Sequence, residues 1–215
     1  SIPHLTAPLA RWAERLGCAE QALEAEWETV RGKLLAVRTR RIRPLRDEKI
    51  LTDWNGLMIA ALAAGSRALS RPEYGRTARA SADYILAAMR TRDGRLLHRS
   101  RDGEAGIAAM ADDYAFFIFA LLELYRTVFD PVFLGHALSL QHQMVDDFWD
   151  GQNGGFFLAQ EGAVDLPVRP KELYDGALPS ANSVSLSNLV FLSRLTGDPQ
   201  WEARARRLAK SVSGT

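Results

Sequence analysis

The sequence predicts an all-α fold in which helix hairpins repeat around a ring, an α/α toroid with short β-hairpin excursions. Two observations predict it. Three helix-length segments carry almost no charge, and each is followed at a constant spacing by an amphipathic helix that opens with proline. Buried helices that alternate with one-sided helices describe an inner ring wrapped by an outer ring.

The uncharged segments are the predicted inner helices, and they cover residues 54–66, 114–125 and 180–193. A helix that is apolar all round has to be buried on every side. Each segment has a small polar residue at its head, namely Asn55, Asp113 or Asn182. These polar heads mark the start of each repeat.

The predicted outer helices begin at Pro72, Pro131 and Pro199, and an aromatic residue follows two positions after each proline. The step from polar head to proline is 17, 18 and 17 residues. Asp130 and Asp198 stand before their prolines, which is the pattern of an N-cap followed by proline in the first turn. The constant spacing identifies a repeat.

Glycines and Asp-Gly pairs predict a β-hairpin near residues 93–103 and another near residues 150–162. The resulting single toroid segment divides into leading helices over 1–46, repeat one over 47–103, repeat two over 104–162 and repeat three over 163–215. The sequence stops where a third hairpin is expected, so we expect an incomplete ring.

The composition excludes several classes of protein. With 27 basic and 26 acidic residues, the formal net charge is +1, which does not indicate a nucleic-acid-binding protein. No apolar run is long enough to span a membrane, and a single cysteine, Cys18, favours a reducing, cytoplasmic location. We find no phosphate loop, serine elbow or metal-ligand spacing, so we expect no cofactor and no metal.

Toroid geometry places the heads of all inner helices on one rim. Helix N-termini there favour hydroxyl-rich or anionic ligands, and carboxylates beside aromatic rings are typical of sugar sites. We therefore predict Asp113 and Asp175 as catalytic acids. The predicted substrate-binding residues are Asp53, Trp54, Asn55, Asp112, Tyr114, Arg169, Lys171, Glu172 and Asn182.

Each of these residues also has a structural interpretation. Asp113 and Asn182 are preferred helix caps, and Trp54 at the head of a buried helix is equally suited to core packing. His98 is the one histidine expected near the rim, either as a catalytic base or as an ordinary surface residue of a hairpin.

Three ordered motifs resemble the spermatogenesis-associated protein 20-like family. The motifs are Arg41-Ile42-Arg43-Pro44 with Asp47-Glu48-Lys49-Ile50-Leu51 and Trp54-Asn55-Gly56-Leu57-Met58-Ile59, then Asp112-Asp113-Tyr114-Ala115, then Arg169-Pro170-Lys171-Glu172-Leu173-Tyr174-Asp175-Gly176. The resemblance implies an N-terminal thioredoxin-like domain followed by a six-hairpin glycosidase-like toroid, with this chain in the toroid region only. That toroid superfamily includes sugar 2-epimerases, glycosidases and lyases.

Two functions are consistent with these observations. The first is a carbohydrate-processing or carbohydrate-binding domain that takes a sugar or another polyhydroxyl ligand at the rim. The second is a non-catalytic scaffold that packs against a peptide or the thioredoxin-like domain of the parent protein. In an incomplete ring, uncovered helix flanks also predict self-association.

Overall fold

A computed structural model describes residues 4–162 and 168–213 of the chain. The chain divides into two compact units, Ser1–Asp47 and Glu48–Thr215. The boundaries predicted between the three repeats stay predictions.

The first unit holds two helices that pack on each other, α1 (Leu9–Leu16) and α2 (Glu20–Thr39). Gly17 ends α1 in the left-handed conformation, with φ of 65°. Both helices lie within the leading helices predicted over residues 1–46. Val30, Leu34 and Val37 of α2 are exposed.

The second unit follows the predicted order of inner and outer helices. Its elements are β1 (Ile50–Leu51), α3 (Thr52–Ala68), α4 (Pro72–Ala88), β2 (Leu97–Arg101), β3 (Glu104–Ala108), α5 (Ala111–Val128), α6 (Pro131–Phe148), α7 (Ala181–Thr196) and α8 (Pro199–Ser213). Each outer helix begins at the proline from which it was predicted. Among the described residues no helix is long and apolar enough to cross a membrane.

Pro131 and Pro199 start helices because the preceding carboxylate satisfies a free N–H group of the first turn. The Val132 N–H donates to Asp130 Oδ1 over 3.1 Å, and the Gln200 N–H donates to Asp198 Oδ1 over 2.9 Å. Proline lacks an N–H and has a helical φ, so it suits the position between cap and donor. Local sequence therefore sets these helix starts.

The core is centred on α5, which packs against α3, α6 and α7. Phe116, Phe117 and Leu121 of α5 are buried, as the uncharged sequence predicts. The other two inner helices keep an exposed face, marked by Met58 on α3 and Val190 on α7. Burial all round is therefore confirmed for α5 alone, because only α5 has an inner helix packed on each of two sides.

The strands form one antiparallel sheet in the order β1-β2-β3. Strand β1 pairs with β2 through Ile50 opposite Ser100 and Leu51 opposite Arg99. The first predicted hairpin is confirmed, although its strands lie a few residues downstream of the expected start. Strand β1 is not evident from the sequence. It pairs with the hairpin and leads directly into α3.

The second predicted excursion forms a tight turn rather than a ladder. Within its described residues the β-structure is an isolated bridge between Trp149 and Phe156. The Asp150 carboxylate accepts the Gln152 and Asn153 N–H groups over 2.8 and 3.0 Å. Two glycines with positive φ follow, so the backbone turns before a second strand can extend.

Candidate functional site

An open cleft of about 620 Å³ lies at the heads of two inner helices, and we call it the rim cleft. Asp53 lines it from the first turn of α3, and Asp112 and Phe116 line it from α5. The other wall is the segment that leads into α7. Its lining residues are Lys171, Glu172, Leu173, Tyr174, Gly176, Ala177, Leu178, Pro179 and Ser180.

Three carboxylates face one another across the rim cleft. Burial raises the pKa of Asp112, and the negative charges of Glu172 and Asp53 raise it further, whereas the Ala181 N–H opposes this rise. Asp53, Asp112 and Glu172 all line this cleft, so the repulsion acts between neighbouring carboxylates. The rim cleft is therefore acidic, and Asp112 holds a proton more readily than an ordinary aspartate.

Lys171 is the one basic residue among the described residues that line the rim cleft, but its ammonium group is bound elsewhere. Its Nζ lies 2.6 Å from Asp150 Oδ2 and 2.9 Å from the Gly154 carbonyl oxygen. Burial disfavours the charge of Asp150, yet Lys171 and the neighbouring N–H groups hold the pKa of Asp150 well below its usual range. The pair anchors the wall segment and leaves the acids of the cleft without this cation.

Asp113 lies behind the rim cleft, with only 1% of its surface exposed. Its Oδ1 accepts the Asp53 N–H over 3.0 Å, and its Oδ2 accepts the Met110 N–H over 2.8 Å. The bond from Met110 caps α5, as the structural interpretation of Asp113 expects. Burial raises the pKa of Asp113 to about 6, although the Met110 N–H and His98 lower it.

His98, on β2, contacts this buried acid directly. Its Nδ1 lies 3.0 Å from both carboxylate oxygens of Asp113. The hydroxyl of Thr52 donates to the Leu97 carbonyl oxygen over 2.6 Å, which holds β2 against the head of α3 beside His98. His98 is absent from the predicted site residues. Its place in the first hairpin was the signal that pointed to it.

Asp53, His98 and Asp113 each offer one potential metal-ligand atom, and these atoms lie within 4.8 Å of one another. A carboxylate has about four lone-pair sites. Those of Asp113 already receive two backbone N–H groups and the His98 imidazole. These contacts hold the His98 ring against Asp113 through Nδ1.

Five predicted substrate-binding residues lie outside the lining of the rim cleft, three of them at the heads of α3 and α5. The Asn55 amide donates to the Leu51 carbonyl oxygen over 2.8 Å and lines a separate depression beside α4. Tyr114 is buried, and its hydroxyl accepts the Leu96 N–H over 3.2 Å. Trp54 is 61% exposed at the start of α3, so it does not pack in the core.

Asn182 and Arg169 build the wall rather than point into the cleft. The Asn182 amide bridges Phe156, accepting its N–H over 2.7 Å and donating to its carbonyl oxygen over 2.9 Å, and it also donates to the Glu172 carbonyl oxygen. Arg169 donates to the Ala159 and Asp147 carbonyl oxygens. Both side chains fix the wall segment on the body of the unit.

Asp175 lies on the exposed part of this wall. Its Oδ1 accepts the Ser180 N–H over 2.9 Å, at the entrance of α7. That bond and a second one from Ser183 lower the pKa of Asp175. Its neighbour Tyr174 lines the rim cleft and is 86% exposed. A catalytic role for Asp175 stays a prediction.

The fold is that of the α/α toroid enzymes. The chain superimposes on cellobiose 2-epimerase from Bacillus thermoamylovorans with a TM-score of 0.63 and 15% identity, over 77% of this chain and 45% of that one. It superimposes on the GH76A α-1,6-mannanase from Salegentibacter with a TM-score of 0.61 and 16% identity, over 95% of this chain and 57% of that one.

Sequence similarity relates the chain to a segment of known proteins. The chain is 35% identical to mouse spermatogenesis-associated protein 20 over 199 residues, and 34% identical to the human protein over the same length. An uncharacterized protein of Caenorhabditis elegans is 33% identical over 185 residues. No protein-family model matches the chain.

The chain is thus homologous to a segment of the spermatogenesis-associated protein 20 family, which confirms the resemblance seen in its motifs. The mouse and human matches cover 88% of this chain but 25% of the relatives. The chain therefore spans about a quarter of the length of the curated relatives it matches.

Proposed function

We propose that the rim cleft binds a carbohydrate and that the domain processes or carries this ligand. The observation that supports the proposal is the open cleft at the heads of α3 and α5, where Asp53, Asp112 and Glu172 converge beside exposed Tyr174. Carboxylates accept hydrogen bonds from sugar hydroxyls, and an aromatic face covers the apolar face of a sugar ring.

The two structural neighbours compared above are named as a cellobiose 2-epimerase and an α-1,6-mannanase. At identities of 15–16% they establish the fold alone, so the proposed ligand depends on the cleft of this chain. The cleft volume of about 620 Å³ is in the ordinary range of small-molecule sites.

The acids of the site divide into two kinds. Asp112 has a raised pKa because it is buried beside Glu172, so it is suited to donate a proton. Asp113 and Asp175 are our proposed catalytic acids from the sequence, and both now have a helix-capping bond as well. We propose that Asp113 and Asp175 act as catalytic acids, which mutation can test. Glu172 and Asp53 accept hydrogen bonds from ligand hydroxyls.

Thermal shift and calorimetry with cellobiose, mannose and glucose test the proposal. We expect one of these sugars to raise the unfolding temperature, since a ligand at 100 times its Kd stabilises by about 2.7 kcal/mol. Glu172→Gln should weaken the affinity for that sugar at least tenfold. Asp146→Asn, which alters an exposed acid on the outer helix α6, is the matched control and should bind normally.

Two results would contradict carbohydrate binding. One is the absence of a shift or heat of binding with every sugar at millimolar concentration. The other is equal weakening by Glu172→Gln and Asp146→Asn, which would place binding outside the rim cleft.

A scaffold function is the second candidate. It is favoured by the commitment of Arg169, Lys171 and Asn182 to internal bonds, which leaves exposed Tyr174 and Trp54 as the prominent groups near the site. The proposed partner is a peptide or the thioredoxin-like domain implied by the family resemblance. Tyr174→Ala should then weaken binding of that domain in calorimetry and leave sugars without effect.

Self-association also stays a proposal. Exposed Val190 and half-buried Leu186 of α7 line a shallow depression together with α8. Light scattering over a range of concentrations should show a mass that rises with concentration, and a constant monomeric mass would contradict it.

A further inference from the structure

We infer that His98 is the proton-accepting group of the rim cleft, and that buried Asp113 positions it by fixing which ring nitrogen carries the hydrogen. The identity of the ligand rests on the proposed function above. The tautomer of His98 does not depend on the proposed function, and it can be tested without any ligand.

Hydrogen bonding around Asp113 determines the tautomer of His98. Both carboxylate oxygens accept a backbone N–H, from Asp53 and from Met110, and an ionised carboxylate can only accept. The His98 Nδ1, 3.0 Å from both oxygens, is therefore the donor. In a neutral imidazole this leaves the lone pair on Nε2.

His98 lies next to residues that line the rim cleft. The side chain is 26% exposed, so the ring is reachable from solvent. His98 lies beside Asp53 and close enough to Asp112 for its charge to lower the pKa of that acid. Both aspartates line the rim cleft, so the imidazole stands at the junction of the cleft and the buried acid.

The other described histidines of this unit lie on the outer helix α6. The His142 ring stacks on Trp201 of α8, at 4.8 Å between centroids. Burial lowers the pKa of His136, the second histidine of α6. Neither has a buried carboxylate bonded to its ring in the described structure, so the Asp–His arrangement distinguishes His98 within the unit.

His98 accepts and returns a proton through Nε2. The Nε2 lone pair takes the hydrogen of a bound water or substrate hydroxyl, so one N–H bond forms and one O–H bond breaks, and the electron pair stays on the oxygen. The imidazolium keeps its Nδ1–H bonded to Asp113. The deprotonated oxygen forms a bond to the electrophilic carbon of the ligand, and the bond from that carbon to its leaving oxygen breaks, with the electron pair going to the leaving oxygen. The leaving oxygen takes the proton from Nε2, which restores neutral His98.

Nitrogen-15 NMR of the full chain tests the tautomer. The chain has four histidines, so their ring signals can be assigned by substitution. We raise the pH until the ring signals stop changing, so that the imidazole is neutral. In that form we expect His98 to show a protonated Nδ1 and an unprotonated Nε2, and Asp113→Asn to abolish this fixed pattern. His142 is the internal reference and should be unchanged. A protonated Nε2 in the wild-type chain would overturn the inference.

Acylation by diethyl pyrocarbonate tests whether Nε2 is open, a property that a purely structural histidine need not have. We expect His98 to react at a rate within about tenfold of exposed His142, a margin equal to about 1.4 kcal/mol. Cellobiose or mannose, whichever binds, should slow the reaction of His98 at least tenfold and leave His142 unaffected. An unreactive His98 would overturn the inference.

The outcomes separate the two proposals. If no sugar binds but His98 has the expected tautomer and reacts, carbohydrate binding fails and the His98 assignment stands. If a sugar binds at the rim cleft without protecting His98, the assignment fails and carbohydrate binding stands. Where a sugar of the panel is turned over, His98→Gln should lower kcat by about 10²–10⁴ with little change in KM.

Discussion

Gly56 of α3 lies directly against the backbone of Phe116 in α5. A Cβ added at Gly56 would stand 2.7 Å from the Phe116 carbonyl carbon and 2.9 Å from its oxygen. Backbone atoms cannot move aside as a flexible side chain can. The absence of a side chain at Gly56 therefore sets how closely the two inner helices approach, and with them Asp53 and Asp112.

Gly56→Ala should destabilise the chain by about 1–3 kcal/mol because it overpacks this crossing. The matched control is Gly65→Ala in the same helix, where the nearest atom is a Tyr74 side-chain carbon at 3.6 Å. That change should be neutral or stabilise by about 0.5–1 kcal/mol, since alanine is the better helix former. Urea unfolding of both variants measures the difference, and equal stabilities would refute the close packing.

Lys171→Met should cost about 1–3 kcal/mol at neutral pH, because it leaves the buried Asp150 carboxylate without its cation. The pKa of Asp150 is lowered in the folded chain, so its stabilisation is present above the unfolded pKa of about 3.9 and is lost as the pH falls below it. The difference in unfolding free energy between wild type and variant should therefore become smaller at acidic pH.

Lys33→Met, on exposed α2, serves as the control for Lys171→Met and should leave stability nearly unchanged. Unfolding free energies of wild type and both variants, measured from neutral pH down to about pH 3, test this pH dependence. A gap that stays constant over this range would mean that Lys171 acts through packing rather than through the charge of Asp150.

Asp113 should give stability the opposite pH dependence. Its pKa rises from 3.8 to about 6 on folding, so the folded chain holds this proton more tightly than the unfolded chain. The associated stabilisation, up to about 3 kcal/mol, is full below the unfolded pKa and is lost as the pH rises through about 6. In Asp113→Asn, this fall in unfolding free energy between pH 4 and 7 should be absent.

The exposed Asp146→Asn variant controls for a general loss of negative charge and should keep the wild-type slope. Chemical unfolding at several pH values gives the comparison. A slope that is the same in wild type and Asp113→Asn would show that burial does not raise the Asp113 pKa in solution.

Asn182→Ala should destabilise the chain by about 1–3 kcal/mol, since it removes partners from the buried N–H and carbonyl groups of Phe156. Asn55→Ala is the matched change at the head of another repeat. There the amide makes a single bond to the Leu51 carbonyl oxygen, so the loss should be smaller. Differential scanning calorimetry can rank the two, and a larger loss for Asn55→Ala would contradict the structural role of Asn182.

The sequence predicts the helical scaffold well because its signals are local. Proline after a capping aspartate determines where α6 and α8 begin, and the uncharged stretch around Phe116 and Phe117 identifies the most buried helix. The family resemblance rests on motifs that lie within single segments. None of these features depends on how distant parts of the chain meet.

The site is harder to predict because it depends on contacts between distant residues. The pairing of Leu51 with Arg99, which brings His98 to Asp113, joins strands 48 positions apart. Likewise, sequence alone shows an arginine and a lysine beside Glu172, but not that Lys171 is bound to Asp150. Charge type is visible in the sequence, whereas the partner of each charge is set by tertiary packing.

The hairpin of β2 and β3 has a further practical consequence. Its turn, Asp102-Gly103, lies at the far end of the strand from the stretch that is clamped by Thr52, and a Cβ at Gly103 would meet no atom within 4 Å. A short reporter, such as a fluorophore-bearing loop, can be inserted there while the backbone ladder keeps His98 and Asp53 in register. The same loop is a natural place to attach the chain to a surface with its cleft left accessible.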